Sequence, residues 1–238
     1  MNYLDLYTNK LLLSLNMKKS AFIFLIQFSC LIGFAQSVMI KQVFRLLPKE
    51  KLFGLSVAAR DSMLLGKTYY PADNTSEEIA AYNYGVSTEI ENYMYVSLSF
   101  ETSQRGTGMV EIRSFKMQNG DNLILVSQTG GVAGVAYDQG EISAYTYGKS
   151  KKLLPYKKAV LPKAQLGLLI KPRTPESVKK KLFSNAGIVY NLSHQQVQLE
   201  LDNNYISNDL SLKKWLKGNQ VCFAWKQDKF VMMAAKFE

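Results

Sequence analysis

The spacing of apolar residues changes once along the first half of the chain. From Val38 to about Gly66 the apolar positions favour helices, and Pro48 separates a first helix from a second over about 55–65. From Tyr93 onward the spacing becomes two, as in strands that bury one face. Helices are therefore predicted first, followed by a sheet.

Four sequential strands with short turns are predicted for this sheet. They cover 93–100, 109–117, a central run that includes Leu123–Val126, and 142–147. The dipeptide Asn119-Gly120 is a strong hairpin signal, and glycines at 104–108 and 129–134 predict further turns. The apolar set of the second strand shifts near Ser114, which predicts a bulge there.

Residues 148–163 contain six Lys and two Pro and are interpreted as a connector. Beyond it, the pattern predicts a strand over Gln165–Ile170 and a helix with Thr174 as cap and Pro175 in its first turn. An alternating strand at 197–201, a helix through "SNDLSLKKWLKGN" and a hairpin around "KQDK" follow. The predicted class is α+β: an antiparallel β-meander sheet with packed helices over residues 37–150, followed by a second, smaller α+β unit over 151–238.

The segment "MKKSAFIFLIQFSCLIGFAQS" stands at residues 17–37. Its basic start, short apolar run and small-residue exit predict a signal peptide over 17–36, with residues 1–16 as a mis-assigned start. A buried helix or a retained anchor is the alternative, although the run is shorter than the roughly 20 residues of a membrane span. Lipid attachment at Cys30 is disfavoured because the apolar run continues past it. The expected location is periplasmic or cell-surface, with no transmembrane segment after cleavage.

The chain after residue 36 holds 26 Lys and Arg against 18 Asp and Glu, a formal charge of +8. Export excludes nucleic acid as the partner of this charge, which leaves an envelope protein or an anionic glycan or lipid surface. The lysines of "SVKKKLF" and "LKKWLK" suit such a surface, with ordinary solvated lysine as the alternative. Only Cys222 remains after cleavage, so no internal disulfide is predicted, and its apolar neighbours indicate a buried, inert thiol.

No residue is assigned to catalysis, metal binding or a cofactor. The single histidine, His194, allows no multi-histidine metal site, and no nucleophile-elbow spacing accompanies it. The glycine clusters lack the continuation of a phosphate-binding loop. The pairs Glu77/Glu78 and Glu89/Glu91 supply the residue type for glycoside hydrolysis, but their spacing in the sequence does not fix the distance between carboxylates.

Two further groups carry candidate roles. Six tyrosines at strand spacing suit either a sugar-stacking or protein-binding platform or the amphipathic rim of a sheet; they are Tyr82, Tyr84, Tyr93, Tyr95, Tyr145 and Tyr147. The neighbours Arg60 and Asp61 suit either a partly buried structural ion pair or a solvated helix end.

Three stretches, "VFRLLPKEKLFGLSVAARDSML", "SFETSQRGTGMVEIRSFKMQNGDNLILVSQTGG" and "ISAYTYG", resemble a family of exported proteins from Gram-negative anaerobes. The family is known only as a domain of unknown function, so the resemblance implies a periplasmic or surface protein and transfers no functional residue. The predicted function is an exported envelope protein that acts as a non-enzymatic binding or assembly module. The alternative is a carboxylate-dependent, glycan-active envelope hydrolase.

Overall fold

The computed structural model describes residues 39–66, 81–86, 92–100, 106–132, 141–185, 187–193, 196–201 and 210–237. The predicted signal peptide and leader lie outside these residues. The chain from Ile40 onward forms one compact unit. The division of this part of the chain at residue 150 stays a prediction.

Four helices lie in the described part of the chain. The helix α1 is described over residues 39–46, and the others are α2 (Val57–Leu64), α3 (Glu176–Asn185) and α4 (Leu210–Lys213). Pro48 follows α1, as predicted, and a 3₁₀ turn at Lys49–Leu52 leads towards α2. Ser56 caps α2 because its side-chain oxygen accepts a hydrogen bond from the Ala59 amide.

The first sheet contains six described strands in meander order, each antiparallel to the next. They are β1 (Ala81–Val86), β2 (Tyr93–Phe100), β3 (Gly106–Lys116), β4 (Asn122–Val132), β5 (Glu141–Tyr147) and β6 (Leu153–Pro155). The second sheet has four described strands in the order β10-β9-β8-β7. They are β7 (Ile188–Asn191), β8 (Val197–Leu201), β9 (Gln220–Lys226) and β10 (Lys229–Met232). These two antiparallel sheets with their helices confirm the α+β class.

Each face of the first sheet is covered by a different layer. One face consists mainly of apolar and tyrosine side chains, and the Tyr147 hydroxyl donates to the Gln42 side chain of α1 at 2.8 Å. The buried side chains of this face are Met94, Val96, Val110, Ile112, Ser114, Ile124, Val126, Tyr145 and Tyr147. The opposite face packs on the second sheet, where Phe115 contacts the rings of Trp225 and Phe230.

The second sheet and the nearby helical segments share one hydrophobic cluster with the first sheet. Alternate residues of β7, β8 and β9 enter it together with Leu182 of α3 and Leu212 of α4. Gly218 lies where the chain approaches the C-terminal segment, since a Cβ there would stand 2.2 Å from the Lys236 carbonyl oxygen. Only glycine permits that approach.

The predicted bulge near Ser114 is wrong. The pairing of β3 with β4 is uninterrupted from Gly106 to Lys116, and the Ser114 amide still bonds the Asn92 carbonyl on the β2 side. The apolar set only seemed to change face because β3 is buried on both sides and carries Glu111 and Arg113 on one of them.

Three further local predictions need correction. Residues 106–108 and 129–132 belong to β3 and β4, so the glycines there lie in strands rather than turns. The predicted strand at Gln165–Ile170 contains a 3₁₀ turn at Leu166–Leu168. Its apolar residues Leu166, Leu169 and Ile170 are spaced three and four apart and bury one helical face.

Candidate functional site

Two of the residue groups that the sequence nominated for chemistry lie outside the described residues. These are His194 and the acidic pairs Glu77/Glu78 and Glu89/Glu91. Cys222 is described, and it is a buried free thiol, as predicted. Within the described part of the chain, no group of three His, Cys, Asp or Glu side chains is placed to hold a metal ion.

The tyrosines do not form one exposed platform among the side chains that are described. Tyr93, Tyr145 and Tyr147 are buried, and Tyr95 is 40% exposed. Tyr147 belongs to the face that contacts α1, whereas Tyr93 belongs to the face towards the second sheet. The side chains of Tyr82 and Tyr84 in β1 are not among those that the structure describes. The described tyrosines therefore fit the amphipathic sheet rather than a stacking surface.

Arg60 and Asp61 do not pair with each other. Arg60 is 3% exposed, and its guanidinium donates to backbone carbonyls: Leu55 at 2.8 and 3.0 Å, Arg45 at 2.8 Å and Leu47 at 2.7 Å. Asp61 instead accepts a hydrogen bond from Arg45 at 2.7 Å, at a half-exposed site.

This arrangement gives Arg60 a structural role. Several of its acceptors stand at the C-terminal end of α1, where helix carbonyls lack partners and the helix dipole is negative. Burial lowers the pKa of Arg60, opposed by the charges of Glu50 and Asp61. Arg60 thus joins the end of α1 to the segment that precedes α2, and it presents no group to a ligand.

A second buried polar group lies between the two sheets. The Tyr93 hydroxyl donates to Glu111 Oε1 at 2.7 Å, and the Leu192 amide donates to Glu111 Oε2 at 3.2 Å. Arg113 Nη1 donates to the Leu192 carbonyl at 3.0 Å, and Ser127 Oγ donates to the Tyr190 carbonyl at 3.0 Å. The first sheet therefore holds the end of β7 by side chains on its inter-sheet face.

The electrostatics of this cluster follow from its burial. Burial raises the pKa of Tyr93 far above its usual range, and the neighbouring Glu111 charge adds to the effect. Burial lowers the pKa of Arg113 to about 10, while the charge of Glu111 opposes that change. Glu111 is 2% exposed and its two oxygens accept bonds from protein groups. It is placed as a structural anchor and not as a general acid facing substrate.

A pocket of about 500 Å³ lies between β5, the segment 156–164 and β7. Its lining is mainly apolar and includes Ile142, Ala144, Val160, Leu161 and Ala164, and two lysines, Lys158 and Lys163, complete it. Both lysines are exposed. This volume falls within the roughly 300–1,000 Å³ of pockets that bind small molecules.

Two hydrogen bonds hold the wall of this pocket. At one end the Tyr156 amide donates to the Ala144 carbonyl of β5 at 2.8 Å. At the other end the Tyr190 hydroxyl donates to the Pro162 carbonyl. The segment that the sequence suggested was only a connector is therefore fixed at both ends against the two sheets, and the pocket is preformed.

The charge of the protein is unevenly distributed along the chain. Residues 149–238 contain 17 Lys and Arg against 6 Asp and Glu, whereas residues 37–148 contain 9 against 12. Most described lysines of the C-terminal part are exposed, including the two that line the pocket. In the described ranges, no helix has the length and apolarity to cross a bilayer.

Comparison with known proteins gives a fold relationship only. A domain of an uncharacterised protein from Porphyromonas gingivalis W83 superposes with a TM-score of 0.52 at 14% identity, covering 82% of this chain and 98% of that chain. That organism is a Gram-negative anaerobe, but membership of the family that the sequence resembles stays a prediction. No protein-family model and no curated protein matches the chain.

Proposed function

We propose that the protein is an exported, non-enzymatic binding module whose basic C-terminal half engages an anionic lipid surface of the cell envelope. The observation that carries the proposal is the charge distribution, with 17 Lys and Arg against 6 Asp and Glu after residue 148. Fields of this kind concentrate anionic partners at the surface that bears them.

The signal-like segment 17–36 supports an envelope location, where lipid head groups are the abundant anions. A lipid surface is favoured over a glycan because an apolar pocket of about 500 Å³ lies beside Lys158 and Lys163. The glycan-active alternative has no support of this kind, because its acidic pairs lie outside the described residues and Glu111 is bound by Tyr93 and Leu192.

Vesicle co-sedimentation tests the binding role. The purified natural protein should sediment with vesicles that contain phosphatidylglycerol and remain soluble with pure phosphatidylcholine. Binding should be lost in about 1 M salt, where the Debye length shrinks to about 3 Å. Equal binding to both vesicle types, or to neither, would contradict the proposal.

Export is tested separately by N-terminal sequencing of the protein from periplasmic, membrane and cytoplasmic fractions. A periplasmic chain that begins at Ser37 or Gln36 would support it. A cytoplasmic chain that begins at Met1 would overturn the envelope location and, with it, the envelope lipid as partner.

A further inference from the structure

We infer that the pocket between β5, the segment 156–164 and β7 binds an amphipathic anion, with an apolar body inside and a carboxylate or phosphate at the two lysines. This inference deepens the proposed function, because it assigns one site on the basic half to a single ligand molecule. The shared chemistry of the ligand is an alkyl or similarly apolar chain that ends in one negatively charged group.

The lining determines the body of the ligand. Ile142 and Ala144 contribute from β5, and Val160, Leu161 and Ala164 contribute from the segment that forms the wall. The Tyr190 hydroxyl is already engaged by the Pro162 carbonyl, so it does not demand a polar partner from the ligand. Polar atoms buried against such a lining would lose hydrogen bonds to water, which selects for an apolar body.

The lysines determine the head group. Lys158 and Lys163 belong to the pocket lining but are solvent-exposed, so their ammonium groups can meet a charge that stays in contact with water. Ammonium groups bind carboxylates and phosphates as point charges without requiring a particular planar geometry. The site therefore distinguishes an anionic head from a neutral one and accepts either of these two anions.

The preformed wall of the pocket lowers the entropic cost of binding a ligand. Because Tyr156 and Pro162 are each hydrogen-bonded to a sheet, the ligand does not have to order the segment between them.

Calorimetric titration of the purified natural protein with octanoate, octyl phosphate and 1-octanol tests the inference. We expect saturable binding of at least one anion and about tenfold weaker binding of the alcohol, the effect of one modest charge contact. The tighter of the two anions then identifies the head group. Equal affinity for 1-octanol, or no saturable heat with either anion, would overturn the inference.

Two variants test the location. Ala164→Phe fills the pocket, and K158A/K163A removes the charges; both should lose at least about tenfold in affinity for the anion. The matched control K180A/K229A removes two exposed lysines outside the pocket lining and should leave octanoate binding unchanged. Equal losses in the control and in the pocket variants would place the ligand elsewhere. Retained thermal unfolding temperatures show that each variant is folded.

The same variants separate this inference from the proposed function. Vesicle binding through the basic half should weaken in both K158A/K163A and K180A/K229A, because each removes two positive charges, whereas octanoate binding should weaken only in K158A/K163A. Octanoate binding without phosphatidylglycerol binding would overturn the surface role and leave the pocket standing. Phosphatidylglycerol binding without any binding of a soluble anionic amphipath would overturn the pocket inference and leave the surface role standing.

Discussion

The two faces of the first sheet are both buried, but different chemistry covers each of them. The face towards α1 and α2 is lined by aliphatic and tyrosine side chains and one buried serine, Ser114, and the helix layer brings one buried arginine, Arg60. The face towards the second sheet carries Glu111, Arg113, Ser127 and Thr129 in the sheet itself. The helix layer is therefore held mainly by non-directional burial, whereas the second sheet is also fixed by directional bonds.

The two buried arginines sharpen this comparison. The hydrogen bonds of Arg60 go to backbone carbonyls around the end of α1. Arg113 lies beside the carboxylate of Glu111, and each of these side chains makes a hydrogen bond to the backbone of Leu192. Arg60 thus stabilises a connection within one layer, whereas Arg113 stabilises a contact between two layers that are far apart in sequence.

The largest effect is expected from Glu111→Gln. The substitution keeps the shape of the side chain but removes the negative charge beside Arg113, which should cost about 3–5 kcal/mol of unfolding free energy. Chemical denaturation measures the loss. The double variant E111Q/R113M should be less destabilised than the sum of the two single variants, because the second change removes the charge that the first left uncompensated. Simple additivity would show that the two groups are not energetically coupled.

Arg60→Met should cost somewhat less, about 2–4 kcal/mol, because several carbonyls lose a buried partner but some of them can regain water. Differential scanning calorimetry measures the fall in unfolding temperature. Arg60→Lys is the matched control: it keeps the charge but cannot make the same set of bonds, so it should recover only part of the loss. Full recovery would mean that charge alone, and not the shape of the guanidinium, supports the end of α1.

Tyr190 is expected to make the protein sensitive to alkaline pH. Burial raises the pKa of Tyr190, so the folded state keeps its proton while the unfolded state loses it above about pH 10. The unfolded state then binds fewer protons, and the stability that Tyr190 contributes falls as pH rises. Tyr190→Phe should lose about 1 kcal/mol at pH 7 through the bond to Pro162, and its stability should decline less steeply from about pH 9 to 11. Parallel slopes in denaturation curves over that range would contradict this assignment.

The smallest effect is expected from Asp61→Asn. The Arg45–Asp61 contact is 2.7 Å long but half-exposed on both sides. Exposed pairs of this kind contribute about 0–1 kcal/mol, and salt screens them. A loss above about 1.5 kcal/mol, or one that persists unchanged in high salt, would show that the pair carries more of the α1–α2 contact than its exposure indicates.

Most of the elements that were predicted correctly followed from local patterns in the sequence. The boundaries of β2 and the turn after β3 followed from alternation and from Asn119-Gly120, where Gly120 has a φ of 90°. The closing hairpin followed from "KQDK", where Gln227 and Asp228 both have positive φ. The predicted four-stranded sheet was wrong, because the first sheet also contains β1 and β6. The strands β6 and β7 were missed because each is short and flanked by loop-like residues, so only pairing with a neighbour defines them.

The candidate site was harder to predict for a physical reason. The pocket combines β5 and the segment 156–164 with Tyr190, which is distant in sequence and belongs to the second sheet, so no local pattern predicts the pocket. The sequence "VEIRSF" did contain a signal for the buried cluster, since opposite charges two residues apart in a strand lie on one face. That signal was not used: the bulge was predicted from the shift of the apolar residues alone, and charged residues are expected at the surface unless a partner is known.

The hydrogen bonds of Glu111 and Arg113 to Leu192 have a consequence for how the two sheets are aligned. One side chain accepts from the amide and the other donates to the carbonyl of the same residue, as a neighbouring strand would. If β7 slid by one residue, the amide and carbonyl of Leu192 would no longer face these two side chains, and the buried carboxylate and guanidinium would lose these partners. Leaving a buried charge without its partner is costly, so the pair makes the alignment of the two sheets specific to one register.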